Sequence, residues 1–234
     1  MQQAKIEGGG ILEKDEQKQI NRLLNEPPKL SLEEEIASSI SHGIGAALAI
    51  PAFITMLINA DSSTKMVSAF FYGIALFLFM LMSCLYHAFK RGTTVKRVFR
   101  RLMFSSIFLL FGGTFAPLYL VSFGDVLGIT LFCVHWLFVI LGITFVSVFG
   151  PGRTKGVQCG FYIAMTVGVF LFIPDWISNN VNLLYLIFLG VALFVVGIIL
   201  LFRKKKWTHF AWHIFSLMAC AIQWIGIYLY IFCK

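Results

Sequence analysis

The chain has 234 residues, of which 59% are hydrophobic and only 13% charged, against roughly 25% charged in a soluble domain. With a mean hydropathy of +0.84, it carries more apolar surface than one water-soluble core could hide, which excludes a soluble globular protein. The net charge of +8 comes from basic residues gathered between apolar runs. That pattern suits anionic lipid headgroups rather than a nucleic-acid partner.

In chain order, residues 1–30 form a polar N-terminal segment, broken by Gly8-Gly9-Gly10 and Pro27-Pro28. No cleavage-site pattern precedes the first apolar run, so no secretory signal is expected. Ile11, Leu12, Ile20, Leu23 and Leu24 could share one face of a short amphipathic helix. Residues 31–234 form the membrane domain. Ser31-Leu32-Glu33-Glu34 reads as a capping box that starts the first helix. Apolar runs then predict spans over 38–60, 66–89, 102–122, 126–149, 156–174, 181–202 and 208–232, each long enough to cross a hydrocarbon core about 30 Å thick. In lipid the backbone must satisfy its own hydrogen bonds, so these runs are helices. The expected fold is an all-α integral membrane protein, a bundle of seven transmembrane helices.

Its connections are short. Asp61–Lys65, Ser122–Asp125 and Pro174–Asn180 hold one lysine between them, and Trp176 reads as an interfacial tryptophan. The N-terminal segment holds five Lys and Arg, the 90–101 loop six, the 150–155 loop two and the 203–206 loop four. The other side has only Lys65 and Lys234. The positive-inside rule makes the 17-cation side cytoplasmic, with the N-terminus inside and the C-terminus outside. The five cysteines lie within or at the ends of apolar runs and form no CxxC pair, so they read as apolar filler.

Ionisable side chains inside a membrane are functional candidates. His87 precedes Lys90 by three residues and His209 follows Lys206 by three, so each lies about 5 Å below the basic loops, with His213 one turn deeper. His209 and His213 share a helix face at i, i+4. A third imidazole at matched depth completes a tris-histidine set, which suits Zn²⁺ and leaves a fourth position open, as catalytic sites do. Ser83 lies one turn before His87 and is the candidate catalytic hydroxyl. Against this stands chance, since an HxxxH pair also arises without a metal. His42 is either a packing residue beside Gly43 and Gly45 or a group behind the metal ligands. His135 reads as a structural hydrogen-bonder.

These residues resemble a known family. Glu33-Glu34-Glu35-Ile36 followed by His42-Gly43-Ile44-Gly45 is similar to the first-helix signature of the hemolysin III family, the bacterial branch of the progestin and AdipoQ receptor (PAQR) family. Ser83-Cys84-Leu85-Tyr86-His87-Ala88-Phe89 matches its SxxYHxF motif. Arg101-Leu102, Ser105 and Gly113-Thr114-Phe115-Ala116-Pro117 match its third helix, and His209-Phe-Ala-Trp-His213 its HxxxH. The resemblance covers residues 33 to about 232. It implies a seven-helix bundle in the bacterial plasma membrane, with zinc held by His87, His209 and His213 near the cytoplasmic face. It also implies either control of membrane lipid state or hydrolysis of a lipid amide or ester, with membrane lipids as partners.

Two departures bear on the choice. The family has Asp after Leu in an L-D-x-S pattern, where this chain has Met103. Ser38 stands where Asn is frequent. Asp61, Asp125 and Asp175 fall on the outer side, and Glu34 and Glu35 have no position that the sequence assigns in the site. The missing Asp turns the expectation toward a non-enzymatic member that affects membrane lipid, with a ceramidase-like hydrolase as the alternative. A cytolysin is the lesser alternative, since this composition leaves no water-stable form.

Overall fold

The computed structural model describes residues 16–17, 19–20, 22–170, 173–203 and 205–234. Ile11 and Leu12 of the suggested amphipathic face lie outside them, while Ile20, Leu23 and Leu24 are exposed. The described residues form helices and no strand: α1 Leu32–Ile58, α2 Ser63–Ala88, α3 Thr94–Leu120, α4 Asp125–Phe149, α5 Lys155–Phe170, α6 Ile173–Asn179, α7 Val181–Phe202 and α8 Thr208–Ile227. A π-helical turn, Tyr228–Phe232, ends α8.

The first three helices start where a hydroxyl can satisfy a free N–H. Ser31 Oγ accepts from the Glu34 N–H while Glu34 Oε2 accepts from the Ser31 N–H, which is the predicted capping box. Ser62 Oγ accepts from the Lys65 N–H to cap α2, and Thr93 Oγ1 from the Lys96 N–H to cap α3. The Thr93 cap moves the start of α3 eight residues ahead of the predicted span. Most of the 90–101 loop is therefore helix, and Lys96 and Arg100 turn inward from it.

Among the described residues, six helices are long and apolar enough to cross a membrane: α1, α2, α3, α4, α7, and α8 with its π turn. The fifth predicted span differs. Its helix, α5, has 16 residues, about 24 Å of rise. The expected loop at 174–180 is largely the short helix α6. Trp176 on α6 faces the protein core rather than its surroundings. It is 1% exposed and stacks on Phe123 with ring centroids 6.1 Å apart. Its six-membered and five-membered rings fill the end of the core beside Met56, Tyr72 and Leu183.

Consecutive helices pack on each other from α1 to α4 and again from α7 to α8, and α8 returns against α1. Ile36, Ile40, Ile44, Leu48, Ile54 and Ile58 run along the exposed side of α1. Lipid, rather than water, is the solvent that tolerates such a stripe. One end of the bundle gathers the cations. There Asn25 donates to Phe149 O and accepts from the Gly152 N–H, Arg100 donates to Asn25 O at 2.7 Å, and Arg91 donates to Pro27 O. Residues 25–27 thus strap the start of α3 to the α4–α5 turn. At the opposite end Lys65 Nζ lies 2.8 Å from Asp61, and this hydrogen bond holds the Asp61 carboxyl below its ordinary pKa.

The α2–α3 contact depends on Gly113. A Cβ there would lie 2.5 Å from Ala75 Cβ and 2.9 Å from the Phe71 carbonyl oxygen, which cannot swing aside. Gly160 on α5 has open space at the same position. Gly113→Ala should lower the melting temperature of the detergent-purified protein, as overpacking costs about 1–3 kcal/mol. Gly160→Ala should hold or raise it, since Ala favours a helix by about 1 kcal/mol. Equal melting temperatures for the two variants would contradict this packing.

Candidate metal centre

Three of the sequence-selected residues meet. α2 carries His87 on its inner face, and α8 carries His209 and His213 one turn apart. One ring nitrogen from each lies within 4.8 Å of the others. Ring centroids are 4.6 Å apart for His87 and His213, 5.3 Å for His87 and His209, and 4.8 Å for His209 and His213. His87 and His213 are buried, and His209 is half-buried.

The residues fit a metal ion. His87 Nε2, His209 Nε2 and both nitrogens of His213 are buried with no hydrogen-bond partner in the protein. Buried polar atoms without partners are costly. A divalent cation satisfies three of them at once, and three neutral imidazoles are a borderline donor set that binds such ions well.

The sequence reading missed the group behind His87. Glu35 Oε2 lies 2.6 Å from His87 Nδ1, and Glu35 Oε1 lies 2.6 Å from Lys96 Nζ. With Nδ1–H donated to the carboxylate, the lone pair of His87 Nε2 faces the other two rings. A carboxylate in this place fixes the tautomer of a ligating histidine and raises its basicity. Lys96 is fully buried and lies over the Tyr86 ring at 4.7 Å, so three helices contribute to one charged chain. A sequence signal did exist. Glu35, Ser38 and His42 sit at i, i+3 and i+7, the spacing of one inward helix face.

Glu34 places the other ligand helix. Its Oε1 accepts a 2.7 Å hydrogen bond from the Trp207 N–H, two residues before His209. Trp207 has φ +70°, left-handed backbone in which a tryptophan is strained. The Glu34 bond holds that turn and so sets the start of α8 against α1.

The other candidates fall as follows. His42 is fully buried with both nitrogens unpartnered, and its ring meets that of His213 edge-on with centroids 4.5 Å apart. It therefore adjoins the cluster without belonging to the three-residue group. Ser83 is buried one turn before His87. Ser106 donates to Met103 O, and the Ser105 hydroxyl has no partner. His135 is apart from the cluster, with Nδ1 3.4 Å from Tyr119 OH and its ring beside Phe115.

Comparison with known proteins agrees with these motifs. A family model described as "Haemolysin-III related" matches residues 30–224. The chain is similar to "Hemolysin-3" of Bacillus cereus, at 33% identity over 205 residues covering 86% of this chain and 93% of that protein. It is also similar to "Hemolysin-3 homolog" of Bacillus subtilis (strain 168), at 30% identity over 207 residues covering 86% and 95%.

Titration of the purified protein against a chelating indicator should find one tight divalent-metal site per chain. His209→Ala and His213→Ala should lose it. Glu35→Gln should keep the site but weaken it about 10–100-fold, the effect of removing a group that orients a ligand. Unchanged affinity in Glu35→Gln would show that the carboxylate does not act through His87.

Proposed function

The chain belongs to the hemolysin III family, and on that premise we propose that it is a zinc-holding membrane bundle that acts on the state of the surrounding lipid. It is a multi-pass membrane protein, consistent with a bacterial plasma membrane. The observation that carries the proposal is the His87–His209–His213 cluster with Glu35 behind it. An all-imidazole set backed by a carboxylate favours zinc over the harder cations that prefer oxygen ligands.

Seven crossings account for the chain better than six. Gly152 meets Asn25 at the basic end, Asn180 Nδ2 donates to Tyr230 O near the C-terminus, and Trp207 returns to Glu34. Residues 155–179 must then cover the same distance as α7, through α5 and α6 together. Seven crossings with the basic end in the cytoplasm put the C-terminus outside and the histidine cluster at the inner leaflet.

Zinc bound there would supply a Lewis acid at the depth of lipid headgroups. The chain's own residues orient more than they react. Both Glu35 oxygens are engaged, one with His87 and one with Lys96. Met103 offers no carboxylate, so neither position supplies a free acid as a general base. That favours a non-hydrolytic role, in which the site couples α1, α2, α3 and α8 to the surrounding lipid. The second reading is a zinc-dependent hydrolase of a lipid amide or ester. It draws on the half-buried His209, the least enclosed of the three histidines, and on the hydroxyls of Ser83 and Ser105.

Two measurements separate the readings. Cells producing the protein should differ in membrane order, by fluorescence of an environment-sensitive lipid dye, from cells producing His213→Ala at equal abundance. The purified protein should release no more fatty acid from a ceramide or acyl-amide in mixed micelles than His213→Ala does. Zinc-dependent release by the native chain would replace the first reading with the second. Release only by Met103→Asp would mark the lost carboxylate as the reason the native chain does not hydrolyse.

A further inference from the structure

A second polar site lies at the basic end. Thr94, Arg97, Val98 and Arg101 of α3, Asn25 of the strap and Pro151 of the α4–α5 turn line a cavity of about 140 Å³. We propose that this cavity binds the phosphate of an anionic phospholipid headgroup.

Arg97 and Arg101 are spaced i, i+4, so both side chains rise from one face of α3. Arg97 is held in place. It donates to Gly92 O and to Thr94 Oγ1 at 3.1 Å each, and Glu26 lies 3.5 Å away. Arg101 is exposed and makes no hydrogen bond or ion pair with any described residue. One guanidinium is therefore positioned and partly neutralised, and the other is free to bind. Arg100 points elsewhere, and its bonds to Asn25 O and Glu26 O fix the strap that forms one wall.

Guanidinium groups recognise phosphate through paired N–H donors. The apolar residues in and beside the cavity bear on the kind of phosphate, Val98 in its lining and Val95 and Leu102 next to it on α3. Val95, Val98 and Leu102 are 45%, 47% and 42% exposed on the same stretch of helix. Such side chains fit beside acyl chains, whereas a free phosphate ion gains nothing from them. Two arginines against one glutamate leave a net positive charge, so an anionic headgroup should be preferred to a zwitterionic one. The cavity uses none of the histidine cluster's residues, so the proposal stands or falls apart from the metal.

The test uses the full chain in neutral detergent, titrated with phosphatidylglycerol, phosphatidylcholine or inorganic phosphate. Bound lipid is counted by native mass spectrometry, and melting temperature is followed in parallel. Phosphatidylglycerol should bind and raise the melting temperature, and phosphatidylcholine should bind several-fold more weakly. Arg101→Gln removes an exposed, unpartnered side chain and should leave metal content and unliganded stability unchanged. It should weaken phosphatidylglycerol binding roughly five- to tenfold, the loss of about one lipid-facing cation. Arg203→Gln, at the same end but outside the cavity, should bind as the native chain does. Native affinity in Arg101→Gln, or equal affinity for the two lipids, would overturn the site. Stabilisation by inorganic phosphate equal to that by phosphatidylglycerol would make it a free-anion site and overturn the lipid assignment.

Discussion

The bundle's basic end is organised around one carboxylate. Glu35 lies on α1, its partner His87 on α2 and its counter-ion Lys96 on α3. Both contacts are 2.6 Å, and neither partner's side chain is exposed. A lysine cannot be buried in a lipid-embedded bundle without an anion, and a carboxylate cannot be left there without donors. Removing one member of such a set costs about 3–5 kcal/mol, chiefly because the rest stay buried and unpaired. The three helices therefore share one register at this depth. That register puts His87 Nε2 where α8 can bring two more imidazoles.

α8 is positioned from the same short stretch of α1. Glu34, the residue before the central carboxylate, serves its own helix cap through Ser31 and holds the Trp207 N–H with its other oxygen. Successive residues on α1 thus fix α2 and α3 on one side and α8 on the other. Sequence neighbours pack without help, since short loops bring them together. The α1–α8 contact joins the two ends of the domain, and polar bonds specify it where apolar packing in lipid offers little discrimination.

The sequence made much of the candidate site legible, because depth follows from topology. Counting from Lys90 and Lys206 puts His87 and His209 at one level without any knowledge of packing, and the i, i+4 rule adds His213. Glu35 was not legible by the same method. It lies in a run of three glutamates at a helix start, where acids commonly serve the helix dipole. The i, i+3, i+7 spacing of Glu35, Ser38 and His42 marks a shared face, but nothing local says that this face turns inward or that Glu35 meets His87. Rotation about the α1 axis decides that, and it is set by contacts with α2 and α3. Trp176 misled for a related reason. A tryptophan among polar residues near a span end reads as interfacial, but the packing of α6 places it in the core against Phe123.

The sequence by itself determined the solvent, the helical class, most of the spans and the charge asymmetry. These follow from hydropathy and charge summed along the chain, which need no partner. It also supplied the three histidines and their common depth. Only the tertiary structure decided what stands behind them: Glu35 and Lys96 beside His87, His42 against His213, and Glu34 holding the turn before α8. It alone decided that the fifth apolar run is divided between the helices α5 and α6. Those are questions of which helix faces which, at what rotation. A one-dimensional pattern carries the period of a helix but not its angle to a neighbour tens of residues away.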